Sequence, residues 1–236
     1  MSEITLISHL SPALQEFFKK MKISGEERSV PNISWSTAEE ITKHIQTIPV
    51  KNILEIGPAN GFSTMMMSLW LPEAHITSIE FSRHAFEELR YNLATFSKIQ
   101  SREITEWIPA DFGRKVTSDI FQETIGNFTV YFGDAREVLP HFQTGNPEVH
   151  CERPKSILNI PQKTFEVIFI DGAFRMTREF YDLSIPLLSP GWIVIIDDAI
   201  KYRWKMNGFY EYLDSLWVKY DVIQTDPDDG IMVIRT

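Results

Sequence analysis

Five short apolar runs, each closed by or handing over to an acidic residue, set the strongest limit on how this chain can fold. They are Asn52-Ile-Leu-Glu-Ile56, His75-Ile-Thr-Ser-Ile-Glu80, Phe128-Thr-Val-Tyr-Phe132 with Gly133-Asp134-Ala135 behind it, Phe165-Glu-Val-Ile-Phe-Ile-Asp171, and Gly191-Trp-Ile-Val-Ile-Ile-Asp197 with Asp198 behind it. Runs this apolar read as strands buried on both faces, which is the mark of a parallel sheet. Parallel strands need crossover connections, and the intervals between the runs are long enough to hold helices. Such a sheet gathers the carboxyl ends of its strands, and with them these acids, along one edge, where ligands bind in open α/β folds.

The last two apolar runs break the rhythm. Trp217-Val-Lys-Tyr-Asp-Val-Ile223 and Gly230-Ile-Met-Val-Ile-Arg235 are joined by Gln-Thr-Asp-Pro-Asp-Asp, too short for a crossover helix, so they form an antiparallel hairpin at the sheet edge. The predicted fold is α/β, a doubly wound sheet of seven mostly parallel strands with a C-terminal antiparallel hairpin. With 43% apolar residues and six Trp, the 236 residues can bury one full core, and one domain over 1–236 is expected, opening on a helical segment at about 1–48. Two stretches, about 97–127 and 143–163, fit no strand or crossover and read as insertions. The first holds a short amphipathic helix around Val116 to Ile125, and the second carries Pro147, Pro154 and Pro161.

Composition excludes several classes of function. A net charge of −9 disfavours general capture of nucleic acid, a structured RNA included. Cys151 is the single cysteine, so neither a disulfide framework nor a thiolate zinc site can form. No basic segment followed by an apolar run opens the sequence and no stretch reaches membrane-span length, so a soluble cytoplasmic protein is expected, with no membrane partner.

The turn after the first run is Glu55-Ile-Gly-Pro-Ala-Asn-Gly61, with a helix expected from near Phe62. Gly57 and Gly61 allow a tight turn and a close approach of backbone to ligand. The third glycine that seats a helix against a pyrophosphate is missing, so a nucleotide-type ligand without pyrophosphate is implied. Glu80 comes about 20 residues later, beside the turn, where a carboxylate can hold a ribose.

These residues resemble the class I S-adenosylmethionine-dependent methyltransferases, and more narrowly the metal-dependent O-methyltransferases that include the catechol and caffeoyl-CoA enzymes and a bacterial tRNA hydroxyuridine methyltransferase. The resemblance runs from about Val30 to Thr236. It rests on Leu54 to Thr64, Thr77-Ser-Ile-Glu80, Gly133-Asp-Ala135, Phe169-Ile-Asp171, and Leu187-Leu-Ser-Pro-Gly191 leading to Asp197-Asp198. It implies a Rossmann-like fold and S-adenosylmethionine as cofactor. Glu55, Gly57, Pro58, Ala59, Gly61 and Ser63 would then line its methionine end, Glu80 would accept both ribose hydroxyls, Phe81 would pack on the adenine, and Gly133, Asp134 and Ala135 would contact it. Ser34 to Ser36 correspond to the segment that covers the methionine moiety.

Methyl transfer is an in-line displacement, so the protein mainly positions two reactants. In the resembling family a divalent cation makes a hydroxyl acceptor nucleophilic, and its ligand positions fall on Asp171, Asp197 and Asp198. Oxygen donors suit magnesium, and Asp171 is also counted with the cofactor site. The bland alternative is that the three aspartates cap helices and face solvent. Two departures stand out: Asp198 replaces an asparagine, and Phe174 replaces a lysine often assigned as general base. Arg175, Lys201 and Lys205 are the nearby cations. Lys201-Tyr-Arg-Trp-Lys205 either stacks on a ligand ring or is a solvated loop. The expected activity is O-methylation of a small hydroxyl-bearing acceptor. The alternatives are metal-independent methylation of a small molecule or RNA, and a non-catalytic cofactor-binding protein. The family resemblance also leaves a homodimer open.

Overall fold

Along β1 (Asn52–Ile56) successive side chains go to opposite faces: Ile53 joins one apolar cluster, while Leu54 and Ile56 join another. The computed structural model describes residues 6–30, 32–101, 103, 121–145, 149–150, 157–158 and 160–235, and every strand at its centre repeats this division. The first cluster is covered by α1 (Pro12–Glu27), α2 (Trp35–Ile45), α3 (Phe62–Trp70) and α4 (Arg83–Gln100). The second is covered by α5 (Ala135–Thr144), α6 (Thr177–Ser184) and α7 (Arg203–Ser215).

The remaining strands are β2 (His75–Glu80), β3 (Phe121–Ile125), β4 (Phe128–Phe132), β5 (Val149–His150), β6 (Ile157–Leu158), β7 (Phe165–Ile170), β8 (Leu188–Ile196), β9 (Tyr220–Gln224) and β10 (Gly230–Arg235). Eight of them form one sheet in the order β3-β4-β2-β1-β7-β8-β10-β9, and β5 pairs with β6 in a second one. β4, β2, β1, β7 and β8 are mutually parallel, whereas β3 and β10 run against their neighbours. From β1 the chain moves outward one way through β2 and β4, then returns to add β7 and β8 on the other side. That reversal opens a crevice outside the carboxyl ends of β1 and β7.

The sheet therefore has eight strands and not seven, and the additional one lies where a helix was expected. Residues 121–125 of the expected Val116 to Ile125 helix are β3, a hairpin partner of β4; residues 116–120 lie outside the described residues. Gly126, at φ +60°, and Asn127 make the two-residue turn that favours a hairpin. Glu123 pairs with Arg90 on α4, and Thr124 meets Thr129 across the ladder. Pro190 directly precedes Gly191, which opens the fifth run. Both sit inside β8, in an irregularity where the register jumps from Phe165↔Leu188 to Val167↔Ile193.

At the N-terminal side, Ser11 caps α1 and Pro12 occupies its first turn, as a helix start favours. Leu14, Phe17, Phe18 and Met21 recur at helical spacing and bury against the sheet and α4, with Phe18 edge-on to Phe62 and Phe96. Full burial of such a side chain stabilises by about 1.5–3 kcal/mol, which docks the segment firmly. Among the described residues no helix is long and apolar enough to cross a membrane.

Candidate active site

The turn that leaves β1 is held by neighbouring strands. Gly57 donates to the carbonyl of Ile79 at 3.0 Å, and Asp171 donates to the carbonyl of Ile56 at 2.9 Å. Gly57 has φ +86°, and a Cβ there would strike the backbone carbonyl of Asp171. Gly61 has φ +89° and caps α3. Asn60 steadies the turn, accepting the N–H of Phe62 on its Oδ1 and the Asn92 side chain on its carbonyl.

Two glutamates at this edge do different things. Glu55 faces α3, is fully buried, and accepts the hydroxyls of Ser63 at 2.6 Å, Thr64 at 2.5 Å and Ser78 at 2.8 Å. Burial raises its pKa against the pull of those three donors. Glu80 turns to the crevice, where its carboxylate accepts the N–H of Ala59 at 3.0 Å and of Ser82 at 2.6 Å. Burial, with Glu55 nearby, pushes its pKa up to about 7.

A cavity of about 450 Å³, a size suited to a small-molecule ligand, fills the crevice. Of the residues expected at a cofactor, Gly57, Ala59, Glu80, Phe81, Gly133, Asp134, Ala135 and Asp171 line it. Glu55, Pro58, Gly61 and Ser63 do not: they build the turn and the α3 start behind it. Phe81 is 73% exposed at the mouth, an apolar ring without cover. Asp134 caps α5, and the guanidinium of Arg136 beside it, at 2.6 Å, holds its carboxyl below the usual range.

Sequence reasoning missed Arg136, Ser82, Met176 and Phe180 in the lining. For the first two the signal was adjacency to Asp134 and Glu80; for Met176 and Phe180 it was their four-residue spacing on one helical face.

One carboxylate oxygen from each of the partly buried Asp171, Asp197 and Asp198 lies within 4.8 Å of the others. Burial and mutual repulsion raise the Asp171 pKa well above the usual range, and burial pushes Asp197 to about 7 and Asp198 to about 8. Three oxygen donors that disfavour their own charges fit a hard divalent cation, which would relieve the repulsion. Asp198 holds the left-handed conformation at φ +56°.

The β9–β10 turn also reaches this corner. Asp229 hydrogen-bonds Asp198, and Asp226 accepts the Ser36 hydroxyl at 2.7 Å. Ser34 caps α2 and Thr37 meets Thr225 at 2.8 Å, so the Ser34 to Ser36 segment is tied to the hairpin turn. The three aspartates of that turn were the overlooked signal.

Phe174 lines the cavity and stacks on Tyr202, ring centroids 4.0 Å apart. Lys205 lies 5.2 Å from the Phe174 ring and 4.3 Å from that of Tyr202. The Lys201 to Lys205 segment thus folds against the site.

The sequence matches the family described as methyltransferase domain over residues 54–199, more than half of the chain. The chain belongs to that family. The matched span covers the glycine turn, Glu80, Asp134 and the aspartate trio. The methyltransferase is also similar in structure to an O-methyltransferase from Bacillus cereus in complex with S-adenosylhomocysteine (SAH), at TM-score 0.69 and 17% identity over 99% of this chain and 96% of that one. A second likeness is to the O-methyltransferase TomG from Streptomyces achromogenes, involved in tomaymycin synthesis and in complex with SAM, at TM-score 0.66 and 18% identity over 99% and 95%. SAH-bound PaMTH1 from Podospora anserina follows at TM-score 0.64 and 14% identity over 98% and 92%. At these identities the likeness is one of fold.

Proposed function

We propose that this methyltransferase transfers the methyl group of S-adenosylmethionine to a hydroxyl oxygen of a small-molecule acceptor, assisted by a divalent cation, with magnesium the expected ion. The observation that carries the reading is one cavity lined by Glu80 and by Asp171 and Asp198, two of the three clustered aspartates. Glu80 suits a ribose, and the aspartates suit a cation and a reacting oxygen.

Glu80, steadied by the N–H groups of Ala59 and Ser82, takes the ribose hydroxyls. Phe81 and the Gly133 to Ala135 turn, which line the same cavity, would hold the adenine. Asp171, Asp197 and Asp198 would hold the cation, which on binding lowers the pKa of an acceptor hydroxyl and orients it. The rigid strand ends fix the two reactants relative to each other, and alignment of this kind supplies much of the rate in a displacement. Residues 1–236 act as one catalytic domain, supported by the two apolar clusters that share one sheet, and we assign the enzyme to the cytoplasm.

SAH at millimolar concentration should raise the melting temperature of the protein, and the rise should shrink in Glu80→Ala. A folded sample with no shift at any ligand concentration would remove the basis for this reading.

A further inference from the structure

The place three residues after Asp171 holds an aromatic ring, and cations gather around it. Phe174 forms a wall of the 450 Å³ cavity on one side and of a smaller cleft of about 200 Å³ on the other. The cleft is lined by Arg175, Arg178 and Lys205 and, among the described residues, by no acidic side chain, although the whole chain carries a net charge of −9. Arg178 is already engaged, 3.9 Å from the Tyr212 ring and 3.6 Å from Asp182. Lys201 lies in the field of Asp198, Asp228 and Asp229. Among the described residues, Arg175 and Lys205 have no carboxylate within 4.0 Å. Lys205 is instead held over aromatic faces, at 4.3 Å from Tyr202, 5.1 Å from Trp204 and 5.2 Å from Phe174. Ring faces attract a cation, so the Lys205 ammonium is held in place beside the cleft, where it suits an anion contact.

We propose that Phe174, Lys205 and Arg175 select an aromatic acceptor that carries a carboxylate in addition to the reacting hydroxyl. This rests on the methyl-transfer reading above. A ring laid along Phe174 with its hydroxyl toward Asp171 and Asp198 directs its far substituent over the cleft. There the Arg175 fork and the Lys205 ammonium meet it, and charge-assisted hydrogen bonds of this kind are the strong ones. The three side chains come from the turn after β7 and the start of α7, the segments that follow Asp171 and Asp198 in the chain.

The test is calorimetric titration of three catechols into SAH-loaded protein with magnesium: protocatechuate with a carboxylate, neutral catechol, and cationic dopamine. Protocatechuate should bind about 10- to 100-fold more tightly than catechol, and dopamine most weakly, the range expected of a charge-assisted contact. Lys205→Ala and Arg175→Ala should each remove about tenfold of that preference while catechol and SAH affinities stay unchanged, and Lys205→Arg should retain it. Equal binding of the three probes, no binding of protocatechuate, or a preference that survives both alanine variants would overturn the proposal. Because SAH binding is read in its own titration, loss of selectivity with intact SAH binding overturns only this proposal, whereas absent SAH binding overturns the methyl-transfer reading with it.

Discussion

The Glu80 carboxylate accepts the backbone N–H of Ala59 at 3.0 Å, which joins the end of β2 to the glycine turn that follows β1. The bond couples the acid that meets a ribose to the loop that meets the rest of the cofactor. It also holds the carboxylate in a buried place, where its charge is disfavoured.

A pH dependence follows from that burial. Glu80 titrates at about 7 in the folded chain against an ordinary value of 4.5, with Glu55 and desolvation opposing its charge. Its contribution to the stability of the ligand-free protein is therefore present below about 4.5 and is lost as pH rises through about 7. Ribose hydroxyls donate to the ionised form, so SAH affinity should rise by about tenfold per pH unit up to about pH 7 and then level off. Isothermal titration across this range should show the rise in the parent protein and its absence in Glu80→Gln.

Glu55 and Glu80 should separate cleanly on substitution. Glu55→Ala strips the acceptor from three buried hydroxyls and opens a void behind α3, and a loss of about 3 kcal/mol or more in chemical denaturation is expected. Glu80→Ala leaves the core intact and should weaken SAH binding by about 10- to 100-fold with a stability change under about 1 kcal/mol. Comparable stability losses in the two variants would contradict this division of roles.

Glycines at positive φ offer a graded test of the turn. Gly57→Ala combines the left-handed backbone with a collision against the Asp171 carbonyl, while the same change at Gly191, φ +73°, meets nothing within 4 Å. Gly191→Ala should cost about 1 kcal/mol from the backbone alone. Gly57→Ala should cost clearly more and should also lower SAH affinity, both readable in thermal melts with and without ligand.

The aspartate trio should register a cation directly. Millimolar magnesium should raise the melting temperature of the parent protein, since a ligand at about 100 times its dissociation constant adds about 2.7 kcal/mol. Asp171→Asn and Asp197→Asn should abolish that rise without lowering the melting temperature of the metal-free protein, because each relieves repulsion among the clustered carboxylates.

The parallel core was legible because buried strands write their pattern locally. His75–Glu80 and Phe128–Phe132 begin and end at the expected residues. β3 escaped because Gln122, Glu123 and Thr124 suit an exposed helix face as well as an edge strand, and the deciding contacts, Arg90 and the β4 ladder, are long-range. The strand ends alone put Asp171, Asp197 and Asp198 on one sheet edge, whereas their reading as cation ligands came from the family resemblance. Which face Glu55 takes depends on pleat and on what packs above it, and that is why an acid expected at the ligand lies under α3. The approach of the β9–β10 turn and of Lys205 to the site depends on how α2 and α7 dock, which no local spacing encodes.

The most direct test is transfer of labelled methyl groups from S-adenosylmethionine into the small-molecule fraction of a cell extract, with magnesium and then with a chelator. Incorporation should be lost on chelation and in Asp197→Ala while SAH still binds. Incorporation unaffected by both, or none under any condition in protein that binds SAH, would contradict the proposed function.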